Sequence, residues 1–223
     1  MKPVFLLFIV IFVGGSCQNK GSVSTDPQRN RYFSAYNEIY SSWRKIPTDS
    51  TRQKLNIYLQ EFPENADARM LAGNVAYSLA DYPEAMLQYR KAIAQQPDRS
   101  IYYSALGCVF NIQDKVDSAE KYLMKAIELG DSSAYTFLGA SLLYAKKGEK
   151  EQCFAFADSA YSGGHSLPEV CAGLCLVYYQ WHEEKKGEEL WRKAVVLGLK
   201  DTSAFRQVLN GKMKQADYYR INY

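Results

Sequence analysis

The chain has 223 residues, 47% of them hydrophobic and 23% charged, with a net charge of +3. This much apolar content can bury a sizeable core and excludes disorder for most of the chain. Acids and bases are interspersed without a basic stripe able to neutralise phosphates, which argues against nucleic acid as a partner. The eighteen tyrosines give rigid amphipathic surface suited either to recognition or to filling gaps between helices.

Met1-Lys2-Pro3 supplies a positive start, and Val4 to Val13 is an apolar run too short to span a bilayer. Residues 1–16 read as an export signal. Gly14-Gly15-Ser16-Cys17 then offers small residues for a signal peptidase and a cysteine for lipoprotein processing. The stretch resembles a bacterial lipoprotein signal with a relaxed lipobox, Gly14 standing in place of the usual leucine. That resemblance implies lipidation at Cys17, the alternative being plain secretion. Gln18, with no acidic cluster after it, implies the periplasmic face of the outer membrane, or a soluble periplasmic protein if Cys17 is not lipidated. Residues 17–31, rich in Ser, Gly, Asn and Asp, are expected to form a flexible tether spanning roughly 20 Å.

Residues 32–65 hold Pro63 and an apolar stretch at Leu55, Ile57, Tyr58 and Leu59. Beyond them, Ala92, Ala126, Ala160 and Ala194 recur every 34 residues. Two further columns keep the register: Gly73, Gly107, Ser141 and Cys175, and Ala85, Ala119, Cys153 and Gly187. A fixed period of this size marks stacked repeats, each burying its apolar face against its neighbours. With units at 66–99, 100–133, 134–167 and 168–201, the columns fall at positions 8, 20 and 27. Small residues there let two helices cross closely, while larger ones at positions 4, 7, 11 and 24 fill the remaining volume.

Each unit is expected to hold two helices. In the first, Asp81 with Glu84 makes a capping box for the second helix, and Pro97 ends it. Breaks are expected at Gln113-Asp114, at Lys147-Gly148 and over Glu184 to Gly187. Gly130 and Gly198 suit left-handed caps, and Ser166 with Glu169 resembles a box opening the fourth unit. Residues 202–223 are expected to give a capping helix with Phe205, Val208 and Leu209 on one face, followed by an aromatic tail.

The pattern resembles the tetratricopeptide repeat, with small residues at positions 8, 20 and 27, an aromatic near 24 and proline near 32. The fold implied is all-α: a right-handed helix-hairpin solenoid of four clear repeats, preceded by a degenerate repeat or helical cap over 32–65 and closed by a C-terminal capping helix. Residues 32–65 fail the small columns, which hold Ile39, Thr51 and Tyr58. Arg69 and Cys171 depart from the pattern at position 4, and only the first unit keeps its proline.

The resemblance also implies a concave groove lined from positions 2, 5, 9, 12 and 13 of the leading helices. In this chain those give Met70, Asn74, Tyr77, Ser104, Cys108, Asn111, Tyr135, Leu138, Leu142, Glu169, Leu176, Tyr179 and Gln180, with Tyr36, Tyr40 and Trp43 from residues 32–65. Such a wall suits a peptide or helix of another protein. Leu138, Leu142 and Leu176 equally suit packing between repeats. A carboxylate clamp is not supported, because Asn74 fits it but Met70, Ile101 and Ala105 do not.

The implied function is a non-enzymatic scaffold that binds a segment of an envelope protein; the alternative is a structural subunit or self-associating solenoid without a free groove. His165 and His182 share no spacing with a nucleophile. Cys171, Cys175 and His182 complete no metal set, and there is no glycine-rich phosphate loop. No cofactor or small-molecule substrate is expected. Cys108, Cys153, Cys171 and Cys175 read as buried thiols, with a Cys153–Cys175 bridge as the alternative.

Overall fold

The computed structural model describes residues 27–45 and 49–199. The expected signal, Cys17, most of the tether and the C-terminal cap over 202–223 lie outside the described residues. Every described element is an α-helix: α1 (Pro27–Lys45), α2 (Asp49–Glu61), α3 (Ala66–Ser78), α4 (Tyr82–Gln95), α5 (Ser100–Ile112), α6 (Val116–Glu128), α7 (Ala134–Lys147), α8 (Lys150–Gly164), α9 (Pro168–Gln180) and α10 (Glu184–Val196). The leading helices start at residues 66, 100, 134 and 168, and the trailing ones at 82, 116, 150 and 184. Both series keep the 34-residue step that the alanine ladder dictates. None of these helices is long and apolar enough to cross a membrane.

Helix starts follow local chemistry. Asp81 accepts from the Glu84 amide at 3.3 Å, as the capping box requires. Asn65 caps α3 and Ser133 caps α7 in the same way. The box expected at Ser166 is not formed: Leu167 takes the cap position without a side-chain bond, because Pro168 at the first helical position sets the start one residue later. The fourth break also moves. Gly187 lies inside α10, and the chain turns instead at Trp181 to Glu183.

The turns inside the four hairpins share one device. Ala80, Asp114, Gly148 and His182, all at position 15, have φ of 60°, 56°, 76° and 56°. Only Gly148 adopts that left-handed region at no steric cost. Gly130 and Gly198 are left-handed as expected, at 87° and 96°.

The described residues divide into two compact units between Tyr102 and Tyr103. In the first, Ile39, Trp43, Leu55, Tyr58 and Leu59 form one buried cluster with Ala68, Leu71 and Val75 of α3. Ile39, Thr51 and Tyr58, which fail the small columns, are all buried. α1 begins at Pro27, within the stretch expected as tether.

Where the small columns hold, packing is tight. A Cβ on Gly73 would overlap the Tyr89 ring. In the second unit a Cβ on Gly107 would lie 2.8 Å from Leu123 Cγ, and one on Gly187 2.6 Å from the Tyr179 ring. Ser141 and Cys153 meet across α7 and α8, where Ser141 Oγ donates to the Cys153 carbonyl at 3.0 Å. The four ladder alanines are fully buried.

Candidate protein-interaction surface

The leading helices position the candidate surface residues, and hydrogen bonds consume many of them. Asn74 is buried and accepts from the Tyr89 hydroxyl at 2.8 Å, so this amide closes the α3–α4 hairpin rather than facing a partner. Met70 and Trp43 are 1% and 2% exposed. Both are corrections to the expected groove: large apolar groups at these positions gain more from core burial than from solvent exposure.

In the second unit, polar bonds tie one leading helix to the next. Ser104 Oγ and Thr136 Oγ1 lie 2.6 Å apart, and Asn111 Nδ2 donates to the Gly139 carbonyl at 3.1 Å. Lys146 bonds the Asn111 carbonyl and pairs with Asp114 at 2.7 Å. Gln180 Nε2 donates to the Ala145 carbonyl at 2.8 Å. Ser104 and Asn111 are therefore corrected to inter-helix ties. Asn111 is buried, at 6% exposure. Leu138, Leu142 and Leu176 are buried as well.

Tyr77 and Tyr179, both at position 12, turn toward their own trailing helices. The Tyr77 ring meets Tyr82 edge-on at 5.9 Å, and Tyr179 fills the space over Gly187. Both keep part of their surface in solvent. Tyr36 and Tyr40 stack at 6.3 Å along α1, half-buried against the first core. Tyr135 at the start of α7 is half-buried; burial, then the charge of Glu169, pushes its phenol up. Thus Tyr36, Tyr40, Tyr77, Tyr135 and Tyr179 retain accessible aromatic surface, whereas Trp43, Met70, Asn74, Ser104 and Asn111 are buried.

The four described cysteines are free, so the Cys153–Cys175 bridge is not formed. Burial pushes the Cys108 thiol up to about 12 and raises Cys153, Cys171 and Cys175 too. Thiols held protonated are poor nucleophiles and poor metal ligands. Among the described residues no group of three or more His, Cys, Asp or Glu side chains is placed to hold a metal.

A feature that sequence reading overlooked runs along the second unit. Tyr103, Phe110 and Tyr122 form a ring stack, and Phe137, Tyr144 and Phe156 repeat it 34 residues later. The Phe110–Tyr122 and Tyr144–Phe156 centroids lie 5.3 and 5.4 Å apart, with planes within 16° and 13°. The aromatics at position 23, Tyr122 and Phe156, were the available signal.

No protein-family model matches the chain. A TPR repeat-containing protein, MJ1428 of Methanocaldococcus jannaschii, is 28% identical over 99 residues, which is 44% of this chain and only 17% of that protein's length. Among solved structures, TTC0263, a thermophilic TPR protein of Thermus thermophilus, aligns with a TM-score of 0.70 at 17% identity, covering 80% of this chain and 97% of that one. PilW, described as a widely conserved type IV pilus biogenesis factor, aligns with a TM-score of 0.67 at 14% identity, covering 85% and 90%. The fold is that of the tetratricopeptide-repeat solenoids.

Proposed function

We propose that the protein is a non-enzymatic interaction scaffold whose leading-helix face binds a segment of another cell-envelope protein. The observation that carries this reading is the set of half-buried tyrosines that keep accessible ring surface, Tyr36, Tyr40 and Tyr77 in the first unit and Tyr135 and Tyr179 in the second. Rigid aromatics on an ordered surface gain contact area at low entropic cost. The likeness to TTC0263 and PilW supports the scaffold part of the reading through the fold, and the lipoprotein-like start supports the envelope part. Anchoring through lipidated Cys17, at the periplasmic face of the outer membrane, belongs to the same proposal.

The test is capture from native membranes. Replacing Tyr40 and Tyr135 with alanine should weaken capture of the partner while helicity is unchanged, whereas Asn111→Ala should lower stability without abolishing capture. Capture unaffected by the tyrosine pair would refute the surface assignment. A Cys17→Ser variant should leave the membrane fraction; if it stays there, the anchor is refuted.

A second reading, burial of one end in a larger assembly, is favoured by Val195, Val196 and Leu197. Val195 and Val196 end α10 and Leu197 follows it, and Val196 is 86% exposed. A stable oligomer in light scattering that dissociates on Val196→Asp would support it.

A further inference from the structure

One corner of the second unit already holds a cation. Lys150, the first residue of α8, places its ammonium 5.5 Å from the Phe154 ring centroid and 5.7 Å from that of Trp181. The two rings lie 6.3 Å apart with planes tilted by 49°, forming an open V rather than a closed stack. Tyr178 packs against Phe154 with ring centroids 5.1 Å apart. Glu183 closes the third side, its carboxylate 3.5 Å from the Lys150 ammonium. Two ring faces and a carboxylate around one point make a cation site, because each ring face carries negative potential and the carboxylate adds full charge.

The resident cation is loosely held. The Lys150 and Glu183 side chains are 50% and 51% exposed, so the ion pair between them is worth little in water. A primary ammonium also keeps most of its hydration when it sits over a ring, whereas a quaternary ammonium surrenders less water on contact and presents apolar methyl groups to both faces.

We propose that the corner formed by Phe154, Trp181 and Glu183 is a binding site for a quaternary ammonium group, with the Lys150 side chain as a displaceable internal occupant. The shared chemistry is a trimethylammonium, from either a choline headgroup or a trimethylated lysine.

The test uses the full chain and the Lys150→Ala variant, which removes an exposed side chain and leaves the corner intact. Tetramethylammonium chloride is titrated at constant ionic strength while the ligand methyl protons are observed by saturation-transfer NMR. The variant should bind roughly fivefold more tightly than the parent, and adding Glu183→Gln should reverse most of that gain. Tert-butanol, the uncharged isostere, should give no comparable saturation. Dodecylphosphocholine micelles and a trimethyllysine peptide then distinguish the sources: competition by one assigns the site to that source. Absence of tetramethylammonium binding to Lys150→Ala, or equal binding of tert-butanol, would overturn the proposal.

Discussion

The α3–α4 hairpin and the two hairpins that follow it in sequence occupy the same register but fill it with different chemistry. In α3–α4, position 4 is Arg69 and position 23 is Gln88, joined by a 3.3 Å hydrogen bond. Arg69 also reaches the Pro63 carbonyl, and Gln88 donates to Glu84 at 2.7 Å. In α5–α6 and α7–α8 the same positions carry Tyr103 with Tyr122, and Phe137 with Phe156. Position 11 shifts in step, from buried Ala76 to Phe110 and Tyr144. The missing volume in the first hairpin returns at position 24, where Tyr89 stands opposite Gly73; the later hairpins place Leu123 and Ala157 there. The hairpins therefore share a register but distribute their bulky side chains over different positions within it.

Positions 8 and 20 lie outside this exchange, and the largest effect is expected there. Gly73→Ala forces a methyl group against the Tyr89 ring and should cost about 3 kcal/mol in urea unfolding. Gly107→Ala, against Leu123, should cost nearly as much; tolerance at either would break the claim that both hairpins share one crossing geometry. Next come the fillings themselves. Tyr122→Ala removes the central ring of a stack and should cost about 2 kcal/mol, whereas Gln88→Ala, which removes a buried amide with its two hydrogen bonds to Arg69 and Glu84, should cost about 1 kcal/mol. Equal losses would contradict the contrast between the hairpins.

The turn column gives a smaller, opposite-signed pair. Ala80→Gly should stabilise by about 0.5 kcal/mol by relieving positive φ, and Gly148→Ala should destabilise by about 1 kcal/mol, read as shifts in thermal midpoint. The smallest effect is electrostatic. Hydrogen bonds from Lys147 and Tyr144 hold the Glu120 carboxyl below its ordinary value. A lowered folded pKa contributes stability that is full above the unfolded value, about 4.3, and is lost as pH falls through the folded value. Glu120→Gln should thus be less stable than the parent at pH 6 by under about 1 kcal/mol, with the gap narrowing as pH falls below the unfolded value of about 4.3.

The architecture was legible because period, caps and small columns are local or strictly repeated signals. Asp81 capped α4, Gly130 and Gly198 turned left-handed, and four helix pairs began on the 34-residue step. The candidate surface was less legible because position alone does not say whether a polar side chain meets solvent or a neighbour. Asn74 carries the same amide whether it faces a peptide or, as here, the Tyr89 hydroxyl fifteen residues away. Asn111 was lost to the Gly139 carbonyl of the next leading helix, a partner 28 residues distant. Ala80, Asp114 and His182 concealed the turn column because none is glycine. Gly187 suggested a break where it instead makes room for Tyr179 inside a helix.

The central claim is that the leading helices, not the trailing ones, present the partner-binding surface. It is tested most directly by placing a benzophenone amino acid at position 135 on α7 or, as the comparison, at exposed position 155 on α8, and irradiating native membranes. The account predicts a discrete protein adduct from position 135 and none from position 155. Adducts from 155 alone, or of equal yield from both, would contradict it.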